Sequence, residues 1–95
     1  NNTQTVTLTR EQSSQLLSQL PELRELISAV NLPREISDRL ESDIHELEQV
    51  AEHGGGVGRA RALLGDMVEA SAVAASTDAG QRLGALLFSL MGGLA

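Results

Sequence analysis

The stretch that decides the fold is residues 34–52, which read REISDRLESDIHELEQVAE. Apolar side chains recur in it at steps of four, four, three and four residues, the spacing of one face of an α-helix. These side chains are Ile36, Leu40, Ile44, Leu47 and Ala51. The pattern predicts an amphipathic helix that follows Pro33 and ends at His53, before Gly54-Gly55-Gly56.

The polar side of this helix carries most of the chain's negative charge. Seven acidic residues against Arg34 and Arg39 give the segment a net charge of −5, compared with −6 for the whole chain. The acidic residues are Glu35, Asp38, Glu41, Asp43, Glu46, Glu48 and Glu52. Binding to a nucleic-acid backbone requires clustered positive charge, so we expect no nucleic-acid partner.

Two histidines lie on the same helix and raise the question of a metal site. Glu41, His45, Glu48 and Glu52 share one face, and carboxylates with imidazoles on one face are how helical bundles bind metals. That face lies opposite the Ile/Leu stripe and should be solvated. We therefore predict neither a metal nor another cofactor.

Upstream, residues 10–30 predict a first helix. Thr9 and Gln12 have the spacing of a capping box, and leucines follow at helical spacing on either side of Pro21. We expect the helix to bend near residues 18–21, because proline removes a backbone hydrogen bond. A turn at residues 31–33 would then fold the first two helices into an antiparallel hairpin.

The residues before the first helix alternate in the manner of a strand. Residues 3–9 read TQTVTLT, with apolar or β-branched positions at period two. The sequence offers no second strand candidate, so we expect an extended or disordered arm over residues 1–9. Pairing with the same arm of another subunit is the alternative. Residues 10–95 would form a single helical domain.

Downstream, the triple glycine predicts a flexible connector, since it lacks the Gly-Lys-Ser/Thr ending of a phosphate-binding loop. A third helix should span residues 58–75. Ser76-Thr77-Asp78 should interrupt the helix there, because each of these side chains can cap the next helix, which is expected from about residue 79 to 92. Six residues of the third helix should point inward: Ala60, Leu63, Leu64, Met67, Val68 and Ala72. The expected fold class is all-α, a four-helix domain built from an antiparallel hairpin and two shorter helices, with an extended N-terminal arm.

The last helix is the informative one for function. Residues 79–95 read AGQRLGALLFSLMGGLA, with no charge after Arg82. A helix that is apolar all round must be buried on every side, and three companion helices of this length would leave part of it uncovered. We therefore expect homo-oligomerisation through this helix, although a purely intramolecular core stays open. The predicted interface residues are Leu83, Gly84, Leu86, Leu87, Ser89, Leu90 and Met91.

A membrane is disfavoured as the partner of this helix. The uncharged residues 83–95 would extend about 20 Å as a helix, against a hydrocarbon core of about 30 Å. The residues before Arg10 contain no signal-peptide pattern, and we expect a cytoplasmic protein. A membrane-active helical module is the third choice of function.

Catalysis finds little support. The chain has no cysteine, no nucleophile-elbow motif and no histidine on an apolar helix face. We predict a non-enzymatic self-association module. The main alternative is a monomeric adaptor domain that binds a different protein through a groove between helices.

Three features together carry a resemblance to known proteins: the lead Asn1-Asn2-Thr3-Gln4-Thr5-Val6, a leucine-rich hairpin with an acidic second helix, and a Gly/Ala/Leu terminal helix. In these the chain resembles small bacterial helical modules of unknown function, some of which look like accessory or oligomerisation segments of conflict systems. The likeness is one of composition and periodicity, and it transfers no functional residue. It implies an assembly role.

Overall fold

The hairpin predicted for residues 10–53 is present in the protein's computed structural model, which describes residues 6–94. Over that range the chain forms an all-α domain of four α-helices. They are α1 (Arg10–Ala29), α2 (Arg34–Glu52), α3 (Val57–Ala70) and α4 (Asp78–Gly92). Each helix packs against the next in sequence, and α4 also packs against α1. The four helices therefore surround one shared core.

Local signals in the sequence set two of the helix starts. The Gln12 backbone N–H donates to Thr9 Oγ1 at 3.1 Å, and the Thr9 N–H donates to Gln12 Oε1 at 2.9 Å, which completes the predicted capping box. Thr77 caps α4 by accepting from the Gly80 N–H at 2.9 Å. Pro21 lies inside α1, which continues to Ala29.

The end of the third helix differs from the prediction. The α-helix stops at Ala70, and a 3₁₀-helix, η1 (Ser71–Ala74), follows it. A 3₁₀-helix turns about 20° more per residue than an α-helix, so the inward face shifts along the sequence. Ala72, which we expected to point inward, is exposed, whereas Ser71 and Ala74 are buried.

The core is aliphatic and draws on all four helices. Its largest fully buried side chains are Leu20, Leu23, Leu40, Ile44, Leu47, Leu64, Met67, Leu83 and Leu87. Burying each such side chain contributes roughly 1.5–3 kcal/mol before entropy is counted. Leu40, Ile44 and Leu47 of α2 are three of the nine, and this confirms that the apolar face of residues 34–52 points inward.

The described part of the N-terminal arm has a partner within its own chain. Thr7 and Gly56 form an isolated antiparallel bridge. The Leu8 N–H donates to the Gly55 carbonyl at 2.8 Å, and the Val57 N–H donates to the Val6 carbonyl at 2.8 Å. The sequence contains no second strand candidate for the arm, and its partner is the loop between α2 and α3: Gly55 supplies a carbonyl group, and Val57 supplies an N–H at the start of α3. Residues 1–5 lie outside the described range.

The carboxyl end of α4 lies at this same end of the bundle. Gln12 Nε2 donates to the Gly93 carbonyl at 3.3 Å, and Arg61 Nη2 donates to the Leu94 carbonyl at 2.8 Å. The start of α1, the start of α3 and the end of α4 therefore meet here, as alternating up-and-down helices require.

Candidate association surface on helix α4

The inner side of α4 belongs to the chain's own core. Leu83 and Leu87 are 0% exposed, and Leu90 and Leu94 are each 4% exposed. These four residues recur at steps of four, three and four, so they form the face that α1 and α3 cover. Three residues of the predicted interface, Leu83, Leu87 and Leu90, are therefore not surface side chains of the folded chain.

The other four predicted interface residues lie closer to solvent. Leu86 and Met91 are half-buried and pack against the edge of the core. Gly84 is half-buried, and a Cβ atom added to it would have no neighbour within 4 Å. Ser89 is exposed. Part of the predicted set thus remains reachable from outside, along both flanks of the helix.

The side of α4 that points away from the core carries no charged residue after Arg82, which lies at its edge. At about 100° per residue, Asp78 in the first turn and five uncharged residues after it lie roughly opposite the buried leucines, and all of them are exposed. We call the five uncharged residues the outer face of α4, and it consists of Gln81, Ala85, Phe88, Ser89 and Gly92. Apart from Gln81 and Phe88, its residues are small, so another helix backbone has room to approach closely.

Phe88 is the functional candidate that the sequence analysis did not include. It is the only aromatic residue of the chain, and 61% of it is exposed. The signal that would have found it is its position: it directly follows Leu87 and lies about 100° around the helix from that core residue. The prediction took the whole helix as apolar and so did not distinguish Phe88, which faces solvent, from the leucines that face the core.

A groove separates α4 from α1 beside this face. It is lined by apolar side chains of both helices, by the acidic residues Glu22 and Glu25 of α1 and by the basic Arg82 of α4. The lining residues are Ser18, Pro21, Glu22, Glu25, Leu26, Ala29, Arg82, Ala85 and Leu86. Ala85 borders both the groove and the outer face, so the two form one continuous surface.

The histidine-bearing face of α2 is solvated, as its position opposite the leucine stripe predicted. Glu41, His45 and Glu52 are exposed, and Glu48 is paired with Arg24 at 3.7 Å. Over residues 6–94 no three His, Asp or Glu side chains are grouped in a way that suits a metal ion. In the same range, each helix is too short or too polar to cross a membrane.

No protein-family model, curated protein or solved structure matches the chain. The resemblance to bacterial oligomerisation modules therefore stays a prediction, and function has to be argued from the surface itself.

Proposed function

We propose that the protein is a non-enzymatic module that self-associates through the outer face of α4, with Phe88 as its central anchor. The observation that carries this proposal is the exposure of the chain's one aromatic side chain on a part of α4 that has no charged residue after Arg82. Aromatic side chains supply much of the energy of protein interfaces, and they do so near the centre of a patch. Phe88 stands near the middle of the outer face, with Ala85 and Gly92 about one turn away on either side.

The surroundings of Phe88 suit a second copy of the same surface. In a two-fold symmetric contact the same patch serves both subunits, so each Phe88 needs a shallow site on the partner. Ala85, Ser89 and Gly92 provide such a site, since their side chains are small and their backbone is accessible. Leu86, Met91 and Gly84 flank the contact, while Leu83, Leu87 and Leu90 hold the helix against its own core from beneath.

The test is sedimentation equilibrium over a wide protein concentration range. The wild-type chain should show a reversible rise in mass with concentration, and Phe88→Ser should remain monomeric and folded. Val73→Ser is the matched control, because Val73 is 66% exposed but lies in η1. It should associate like the wild type. A wild-type chain that stays monomeric throughout, or a Phe88→Ser variant that associates normally, would remove the proposal.

The α1–α4 groove favours a second candidate, a monomeric adaptor. Its apolar lining residues and the acidic side chains Glu22 and Glu25 suit a helix from another protein that carries leucines and a basic residue. The same sedimentation experiment separates the two functions, because an adaptor is monomeric on its own. Substitutions at Leu26 and Leu86 would then weaken partner binding, whereas Phe88→Ser would not.

A further inference from the structure

The contact between α2 and α3 contains two carboxyl groups, one from each helix. Asp43 of α2 is 9% exposed, and it contacts Asp66 of α3. The Asp43 Oδ2 atom is buried and accepts no hydrogen bond from the described part of the chain. A buried oxygen without a donor is costly, so its presence in the seam between two helices requires an explanation.

Asp66 is held in its charged form by Arg39. The Arg39 guanidinium donates through Nε to Asp66 Oδ2 at 3.0 Å and through Nη2 to Asp66 Oδ1, and it also reaches Glu69 Oε1 at 3.2 Å. This two-pronged pairing lowers the pKa of Asp66 to about 2. The negative charge of the pair is therefore fixed on Asp66 at any ordinary pH.

Asp43 has the opposite environment. Burial raises its pKa to about 7, and the adjacent negative charge of Asp66 acts in the same direction. A protonated carboxyl group is a donor, so the O–H of Asp43 can donate to the Asp66 carboxylate. A proton on the Asp43 carboxyl group also removes the negative charge from the side chain that holds the unpartnered oxygen.

We propose that one proton, held by Asp43 and shared with Asp66, joins α2 to α3, and that this seam is the pH-sensitive element of the domain. Loss of the proton leaves two negative carboxylates in contact at a buried position. Like charges on adjoining helices repel, so deprotonation weakens the packing of α2 on α3.

The neighbouring charges do not replace that proton. Arg39 is engaged by Asp66 and Glu69, and Arg59 of α3 pairs with Glu46 of α2. On the other side of α2, Arg24 of α1 pairs with Glu48, and His45 points to solvent. The two arginines near Asp43 thus lower its pKa only partly and already have carboxylate partners.

The direction of the pH effect follows from the two shifts. The unfolded chain releases the Asp43 proton near pH 3.8, whereas the folded chain keeps it until about pH 7. The stabilisation that the proton provides is therefore complete below pH 3.8 and is lost as the pH rises through 7. Asp66 does the reverse, and its contribution is lost only as pH falls from 3.8 toward 2. Of these two residues, only Asp43 lowers the stability of the domain as the pH rises from weakly acidic to weakly alkaline values.

Thermal unfolding of matched variants tests this inference. Asp43→Asn is isosteric and keeps a donor for Asp66 at every pH. Asp38→Asn is the control, since it removes one negative charge from the same helix at a side chain that is 75% exposed. Between about pH 5 and about pH 8, the Tm of the wild type and of Asp38→Asn should fall by roughly 10–15 °C more than that of Asp43→Asn. Equal slopes for the wild type and Asp43→Asn would overturn the proposal.

A direct measurement on the unmodified chain removes any dependence on how the variants fold. Carboxyl-carbon NMR should show Asp43 titrating with a midpoint near 7, as its pKa indicates. A midpoint near 3.8, the value of an ordinary aspartate, would refute the shared proton. Because the seam lies away from the outer face of α4, the result does not depend on whether the protein self-associates.

Discussion

Replacing Gly80 with alanine tests the close approach of η1 to the start of α4. A Cβ atom at this position would lie 1.8 Å from the Ala74 carbonyl oxygen, 2.6 Å from the Ala74 carbonyl carbon and 2.8 Å from Thr77 Oγ1. Contacts of a real Cβ atom essentially never fall below 3.0 Å, so the chain must move by more than 1 Å. The atom in the way belongs to the backbone of η1, which cannot swing aside as a flexible side chain would.

The free energy of this change can be worked from the contacts that would be lost. The movement separates Thr77 from the Gly80 N–H and from the Ala74 carbonyl, which Thr77 Oγ1 reaches at 2.8 Å. Loss of the cap costs about 1 kcal/mol, and overpacking a buried site costs about 1–3 kcal/mol. Alanine returns up to about 1 kcal/mol of helix propensity. We expect a net destabilisation of about 2 kcal/mol, or a fall in Tm of roughly 10 °C.

Gly84→Ala is the matched control on the same helix. Its Cβ atom would meet nothing within 4 Å, so only the helix propensity changes. The gain should be about 0.5–1 kcal/mol. Urea unfolding followed by far-UV circular dichroism, at concentrations low enough to hold the chain monomeric, measures both variants. If Gly80→Ala proves as stable as the wild type, the backbone of η1 does not lie as close to Gly80 as the structure places it.

Two further substitutions test neighbouring features of the fold. Leu87→Asp should unfold the domain, because Leu87 is 0% exposed and burying a lone charge costs more free energy than the whole domain gains by folding. A circular dichroism spectrum with native helix content would contradict the assigned core face. Thr9→Ala should lower the free energy of unfolding by about 1 kcal/mol, because the capping box is lost. An unchanged urea midpoint would show that the cap does not contribute to stability.

The sequence predicted those parts of the fold that depend on local spacing. The Ile36–Ala51 stripe, the Thr9–Gln12 capping box and the Thr77 cap each involve residues within a few turns of one another, so their physics is visible in a short window. The turn at residues 31–33 likewise needs only Pro33 and its neighbours. Hence the order of the helices agrees with the prediction, and the carboxyl ends of α1, α2 and α4 lie within a few residues of the predicted ends.

The features that escaped prediction depend on contacts between distant segments. The bridge of Thr7 to Gly56 needs the end of α2 and the start of α1 to meet, which no local pattern encodes. The change to 3₁₀ geometry after Ala70 accompanies the packing of η1 on α4. Asp43 is different, because its place was visible: it lies three residues after Leu40 and four before Leu47, on the inward side of α2. Counting it with the acidic surface residues hid it.

On the outer face of α4, one residue accounts for most of the apolar surface that association could bury. The sequence suggested that no side of this helix was fit for water, but the side left outside the core is mostly Ala, Ser and Gly, which expose little apolar area. Phe88 is the exception. A phenylalanine side chain buries about 200 Å², so covering its exposed part is worth roughly 3 kcal/mol per subunit at about 25 cal/mol/Å².

A symmetric dimer would gain that amount twice, against an association cost of at least about 4 kcal/mol. The balance is a weak, concentration-dependent contact, and the small residues around Phe88 cannot sustain it alone. A single serine at position 88 should therefore abolish association altogether, whereas an interface spread over Leu86, Met91 and Gly84 would only be weakened by it. The size of the loss, measured by sedimentation, thus distinguishes one anchor from a distributed surface.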